Sequence, residues 1–264
     1  MLTAVKNQTR VCLLSLKYNI MREMVNKVTF LMNIIFMMLN NACILIQWFI
    51  LFRLREEIGG YTMREIMMLW GLTAASFGLS HILFARVFSL PELIVSGKLD
   101  SYLVQPKNVL LGVLTSATAV SAIGDFLYGV VLLLFCGLAV DGFLLALLLI
   151  VTGTVILTAF ALLFGSLAFW FVRVEMLGNQ MVMGLVSFAT YRDGILKGIS
   201  RILLYFIIPV GMAVYHPVHI LAEFDAGMLF TVLGYACLLS AAAVAVFYRG
   251  LRRYSSSSLM EARM

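Results

Sequence analysis

The chain of 264 residues is 62% hydrophobic and only 12% charged, with a mean hydropathy of +1.02. This composition excludes a soluble domain with a polar surface and indicates an all-α integral membrane protein. The net charge of +6 is modest. Because most basic residues flank apolar segments, the charge predicts an orientation in the membrane and not a nucleic-acid partner.

The amino-terminal stretch, residues 1–27, is basic and precedes the first long apolar run. Ser15, Asn19 and Arg22 recur on one helical side, and apolar residues occupy another. This pattern predicts an amphipathic interfacial helix on the inner leaflet. The alternative is a cytoplasmic extension of the first spanning helix. The apolar run that follows has span length and no small-residue cleavage site, so we expect an uncleaved anchor.

The sequence predicts six membrane-spanning apolar segments, and the first of them is long enough, at 1.5 Å per residue, to cross a hydrocarbon core of roughly 30 Å. They are residues 28–52, 67–88, 109–138, 144–172, 176–191 and 227–248. A shorter apolar run at 195–208, interrupted by Pro209 and Pro217, predicts an extracellular re-entrant helical hairpin within residues 192–225. Six spans place both termini and most Lys and Arg residues in the cytoplasm, which satisfies the positive-inside tendency. The whole chain, residues 1–264, is predicted to be one transmembrane domain.

Amide side chains recur every seven residues in the first span, at Asn33, Asn40 and Gln47. Amides facing lipid would lack hydrogen-bond partners, so this amide face is predicted to meet another helix or a hydrated cavity. Asn179 and Ser187 form part of a similar stripe in the fifth predicted span. Either set could bond neighbouring helices or line a substrate pathway.

Asp125 lies deep within the third predicted span. A carboxylate inside the membrane is costly, so we expect Asp125 to be protonated, paired or facing water. Ser121 and Tyr128 lie one helical turn away and are possible partners. The residue is a candidate either for ion coupling or for helix packing.

Residues 89–107, here called the connector, separate the second and third predicted spans. Ser89 and Glu92 have the spacing of a capping box, which predicts that a short helix begins there. Gly97 is suited to end that helix, and Asp100 is placed to cap a second short turn. We interpret the connector as a stiff cytoplasmic coupling helix that binds another protein, because a rigid element transmits motion that a loose loop would absorb.

Residues for catalysis and metal binding are lacking in the sequence. No lysine precedes Ser or Thr, so a phosphate-binding loop is not present and the chain is not expected to be an enzyme by itself. His216 and His219 are an incomplete ligand set, which predicts no metal site. The spacing of the four cysteines predicts neither a disulfide nor a zinc site.

Two stretches resemble the bacterial type 2 ABC transporter permeases. The connector matches their Gly-x-Leu-Asp-x-Tyr-Leu-x-x-Pro signature with Gly97, Leu99, Asp100, Tyr102, Leu103 and Pro106. The stretch before the last span is similar through Tyr191, Gly194, Ile195, Pro209, Tyr215 and Pro217. One departure is Arg192, which follows Tyr191 where the family usually has proline.

The resemblance implies the membrane permease of an ATP-driven exporter in the bacterial inner membrane. It implies two copies of a separate ABC ATP-binding subunit, which bind ATP and Mg²⁺ so that this chain needs no cofactor, and a second permease, identical or paralogous. Coupling is then assigned to Glu92, Gly97, Leu99, Asp100, Tyr102 and Leu103. A hydrophobic or amphipathic substrate, of the drug, lipid or peptide class, would pass along Asn33, Asn40, Gln47, Asn179 and Ser187.

Two other functions are compatible with the residues. One is an ion- or proton-coupled secondary carrier in which Asp125 is the titrating group. The other is a membrane scaffold or sensor subunit that transports nothing.

Overall fold

The computed structural model describes residues 2–54, 57, 61–171, 184 and 209–255. The regular elements in these ranges are helical. They are α1 (Leu2–Glu23), α2 (Lys27–Phe52), α3 (Met63–Phe88), α4 (Leu90–Val95), α5 (Asp100–Leu103), α6 (Val109–Leu114), α7 (Ser121–Phe135), α8 (Val140–Ser166), α9 (His216–Ala222) and α10 (Ala226–Arg253). A 3-10 turn, Leu167–Phe169, extends α8, and a π-helical turn, Gly211–Tyr215, precedes α9.

Four helical stretches of the described chain are long and apolar enough to cross a membrane. They are Lys27–Phe52, Met63–Val95, Val140–Phe169 and Ala226–Arg253. These stretches confirm the helices predicted at 28–52, 67–88, 144–172 and 227–248. Apart from residue 184, the predicted fifth span lies outside the described residues. The count of six spans therefore stays a prediction.

The continuous helix predicted for the third span, residues 109–138, is wrong. The chain forms the short α6, leaves helical geometry around residues 115–120, and resumes as α7, which has 15 residues. At 1.5 Å per residue α7 is about 22 Å long, shorter than a hydrocarbon core. The hydroxyls of Thr115 and Ser116 bond backward to the carbonyls of Leu111 and Val113. Such bonds compete with helix propagation.

The backbone of this break is held by a neighbouring helix. The Ala119 amide donates to the carbonyl oxygen of His81 in α3 at 3.0 Å. One turn beyond His81, α3 itself departs from helical geometry at Phe84, with φ −136° and ψ 29°. The interruption in one helix therefore lies against a kink in the next, and the bond from Ala119 satisfies a backbone group that the break would otherwise expose.

The long helices pack in the spatial order α2, α7, α3, α8 and α10. Helices α3 and α7 approach so closely at Gly78 and Gly129 that a side chain at either glycine would overlap the facing backbone. Helices α3 and α8 are bonded through Ser76, whose hydroxyl donates to the Ile150 carbonyl and whose carbonyl accepts from Thr154. Small residues thus allow the central helices to approach closely, and short hydroxyl side chains bond them to each other, as is common between membrane helices.

Helix α1 is separate from α2, so the alternative of a continuous extension of the first span is wrong. The chain leaves helical geometry after Glu23, and the side chain of Asn26 caps α2 by accepting from the Thr29 amide at 3.2 Å. The predicted polar side of α1 has a partner. Ser15 Oγ and Asn19 Nδ2 both donate to the Thr115 carbonyl, at 2.8 and 3.1 Å.

The segment before α10 is helical from Val210 to Ala222 in its described part. Val210, Tyr215 and Val218 are almost fully buried there against α3, α8 and α10. Residues 192–208 of the predicted hairpin lie outside the described residues. Its re-entrant, extracellular placement stays a prediction.

Candidate docking and coupling site

Helix α4 is the first part of the connector. Pro91 lies in its first turn, where a missing backbone N–H is tolerated. Leu90, Leu93 and Ile94 are buried, and α4 packs against α8 and the 3-10 turn that follows it. This apolar side anchors the connector to the core helices.

The predicted capping box at Ser89 is wrong. Ser89 is also the residue that ends α3, and its hydroxyl donates backward to the Arg86 carbonyl at 3.2 Å. Its backbone lacks the extended geometry of an amino-terminal cap. Glu92 is therefore not used in capping and instead forms an exposed ion pair with Lys98 at 3.3 Å.

The turn between α4 and α5 has the predicted glycine geometry. Gly97 adopts φ 72°, which a residue with a side chain rarely takes. The Leu99 amide then donates to the Leu93 carbonyl at 3.1 Å, and the Leu99 side chain is completely buried. The predicted cap at Asp100 is wrong, because Asp100 is the first residue of α5 and its side chain makes no capping bond. Leu99, one position earlier, takes the cap position.

Tyr102 links the connector to the break in the third predicted span. Its hydroxyl donates to Ser116 Oγ at 2.9 Å, and its ring lies against Gly112 of α6. The neighbouring Thr115 carbonyl is the group that accepts from Ser15 and Asn19 of α1. The connector, the break and α1 are thus joined through hydrogen bonds at the neighbouring residues Thr115 and Ser116.

Part of the exposed surface of the connector, here called the docking tip, is formed by Glu92, Leu103 and Val104. Leu103 is 42% exposed and Val104 85% exposed. Val104 was missed by the sequence reasoning, because a lone aliphatic residue after a short helix is ordinarily part of a core. The signal that could have found it is an aliphatic pair at the end of a four-residue helix, too short to bury both side chains.

The six predicted coupling residues therefore divide into two structural groups. Gly97, Leu99 and Tyr102 shape and brace the connector from within. Glu92 and Leu103 are on its outer surface, and Asp100, which is half-buried, belongs to neither group.

The predicted amide face points away from the described core. Asn33, Asn40 and Gln47 are all exposed, whereas Asn41, one position later in α2, is buried. Large aliphatic and aromatic residues of α2 surround the amides and are exposed too, among them Phe36 and Leu39. The other two predicted pathway residues, at positions 179 and 187, lie outside the described residues.

Asp125 is 4% exposed and has a partner that sequence spacing did not predict. Asn41 Nδ2 donates to Asp125 Oδ1 at 2.6 Å, and the same amide group also donates to the Met37 carbonyl. Neither Ser121 nor Tyr128 bonds the carboxyl group, and Asp125 Oδ2 has no partner among the described residues. The pairing ties α2 to α7 and favours a packing role over ion coupling.

We expect Asp125→Asn to preserve both thermal stability and transport, because an amide can still pair with Asn41. Asn41→Ala should instead destabilise the protein by about 2 kcal/mol, since it leaves the buried Asp125 without a partner. Thermal unfolding in detergent measures the first property, and transport by proteoliposomes measures the second. Replacing both residues by leucine is the control, because removing both polar partners together costs far less than removing one.

Ion coupling predicts the opposite pattern. Loss of transport in Asp125→Asn at wild-type thermal stability would contradict the packing role and favour a carrier in which Asp125 titrates.

The described helices define a multi-pass helical membrane protein in which the connector, with its two short helices, lies between two apolar segments. The family model described as ABC-2 family transporter protein matches residues 30–258. The chain therefore belongs to the ABC-2 transporter family, as the resemblance of the connector predicted, and it is a non-catalytic membrane permease subunit of an ABC transporter. Such permeases normally work with an ATP-binding subunit. No curated protein and no solved structure matches the chain.

Proposed function

We propose that this permease exports a hydrophobic or amphipathic substrate, of the drug, lipid or peptide class, across the bacterial inner membrane. Two ATP-binding subunits, which bind ATP and Mg²⁺, dock on the cytoplasmic connectors of two permeases, identical or paralogous. Both termini of each permease are cytoplasmic. The observation that carries the proposal is the connector, whose aliphatic docking tip is exposed on a scaffold anchored to the core helices.

The chemistry of the docking tip defines its complement on the ATP-binding subunit. Leu103 and Val104 require an apolar recess, because removing their exposed surface from water stabilises the complex. Glu92 is held by Lys98 in an exposed ion pair, which contributes little by itself. A basic group of the partner can therefore take over Glu92 at small cost and fix the orientation of docking.

Motion of the ATP-binding subunits would reach the membrane through two contacts. One is the packing of α4 against the end of α8, and the other is the hydrogen bond from Tyr102 to Ser116 in the break between α6 and α7. Because α7 packs on both α2 and α3, tilting it moves the helix that bears the amide face. Asn33, Asn40 and Gln47, together with Asn179 and Ser187, form the proposed pathway between the two permeases, and the predicted hairpin at 192–225 forms the outer gate.

We expect Tyr102→Phe to lower transport per ATP hydrolysed by about fivefold while leaving association with the ATP-binding subunit unchanged. The substitution keeps the ring on Gly112 and the docking tip intact, but it removes the bond to Ser116, which is worth about 1 kcal/mol. The measurement is ATP hydrolysis and substrate transport by the same proteoliposomes. Ser116→Ala should give the same loss, and the double variant should lose no more than either single variant.

Tyr18→Phe is the matched control, because it removes the same hydroxyl from an exposed tyrosine of α1. Additive losses in the Tyr102 and Ser116 variants would show that the bond between them does not carry the motion. Wild-type transport with a proton gradient and no ATP-binding subunit would contradict the whole proposal.

A further inference from the structure

A cavity of about 220 Å³ lies at the corner where α1 meets α2, beside the start of α7. The proposed coupling mechanism does not involve this corner cavity. Its polar lining comes from Arg22, Glu23, Asn26, Thr29 and Asn33, and Val25, Phe30 and Val120 form its apolar side. Asn33 is also the first residue of the amide face, so the cavity adjoins the end of the proposed pathway.

The polar lining is rich in hydrogen-bond donors. The side-chain oxygen of Asn26 accepts a hydrogen bond from the Thr29 backbone amide, which leaves the side-chain NH₂ group of Asn26 available as a donor. Arg22 uses one nitrogen in an exposed pair with Glu23 at 3.2 Å, and its planar guanidinium has further N–H groups. Asn33 makes no hydrogen bond within the described residues and adds another donor. A ligand for this set must offer several acceptor oxygens, as a phosphate group does.

The surroundings of the cavity are apolar. Val25 and Val28 at the corner, and Leu31 one turn further along α2, are all mostly exposed. A free phosphate ion gains nothing from such a surface, whereas the acyl chains of a lipid cover it favourably. The cavity therefore combines a donor-rich recess with an apolar flank along a membrane helix.

We propose that the corner cavity binds the phosphate headgroup of an anionic membrane phospholipid, whose acyl chains lie along the exposed apolar side of α2. Arg22 supplies the charge and the two-pronged geometry, and Asn26, Asn33 and Thr29 supply the remaining donors. Glu23 competes with the phosphate for Arg22. The binding holds whether or not the lipid is itself transported.

The test is native mass spectrometry of the detergent-solubilised full chain, titrated with dioleoylphosphatidylglycerol. Arg22→Gln should weaken lipid binding by about tenfold, because it removes the charge-assisted bonds. Glu23→Gln should strengthen binding, since it releases Arg22. Arg10→Gln is the matched control, because it removes the same charge from an exposed site on the same helix outside the cavity.

Two ligand controls separate the headgroup from the chains and from free phosphate. Dioleoylglycerol has the same acyl chains without phosphate and should not compete, and neither should inorganic phosphate at the same concentration. Equal weakening by Arg10→Gln and Arg22→Gln would overturn the proposal in favour of diffuse attraction. Displacement by inorganic phosphate would overturn it in favour of a simple anion site, and displacement by dioleoylglycerol in favour of an apolar groove.

Discussion

Replacing Leu103 and Val104 together by aspartate is expected to abolish stable association with the ATP-binding subunit and, with it, ATP-driven transport. Both side chains are aliphatic, and Val104 is 85% and Leu103 42% exposed. Burying Val104 against a partner is worth about 1.5–3 kcal/mol, and burying the remaining surface of Leu103 roughly half as much. The substitution removes that gain and places two charges in the contact, so affinity should fall by more than about a hundredfold. Co-purification of the ATP-binding subunit with the tagged permease measures the loss.

Val140→Asp controls for general disruption. Val140 is 79% exposed, similar to Val104, and lies in the first turn of α8 away from the connector. An aspartate is tolerated at a helix start, so association and transport should be those of the wild type. Normal association in the Leu103 and Val104 double variant would show that the docking tip is not the contact, and Glu92 would then carry no coupling role through it.

The second large effect is expected at the crossing of α3 and α7. Gly78→Ala should lower the thermal unfolding midpoint by roughly 10 °C, because the added methyl group overlaps the α7 backbone near Ala122 and Phe126. Neither backbone can yield without separating the two helices. Gly129→Ala should have a similar effect, since its methyl group would lie 2.5 Å from the amide nitrogen of Ala75.

Gly234→Ala is the control for these substitutions. It makes the same change in the membrane helix α10, at a position where a methyl group meets nothing within 4 Å. Its unfolding midpoint should stay unchanged or rise slightly, because alanine favours helix more than glycine does. A fluorescence-monitored melt in one detergent compares the three variants. Equal midpoints for all three would contradict the close crossing.

Some features of the connector follow from neighbouring residues in the sequence, and others do not. The turn at Gly97 was predictable, because a left-handed residue after a short apolar helix depends on its immediate neighbours alone. The capping roles of Ser89 and Asp100 were not predictable, because Ser89 also ends α3 and Asp100 is already the first residue inside α5. Ser89 ends α3 before it can begin α4.

The third predicted span shows where apolar length misleads. Residues 109–138 form one continuous apolar run, yet the helix is interrupted. At the interruption the Ala119 amide donates to the His81 carbonyl, and the Thr115 carbonyl accepts from the side chains of Ser15 and Asn19. These partners lie up to 100 residues away in the chain. A hydropathy profile carries no information about such distant hydrogen-bond partners.

The sequence by itself determined the helical membrane class, the positions of four long helices and the connector residues that resemble the family's signature. These follow from apolar length and turn chemistry, which are properties of short stretches of chain. Only the tertiary structure decided that Asn41 is the partner of Asp125, that Val104 is exposed on the docking tip, and that the third span is divided. Burial and hydrogen bonding between distant residues depend on which helices pack together, and the periodicity of one helix does not specify its neighbours.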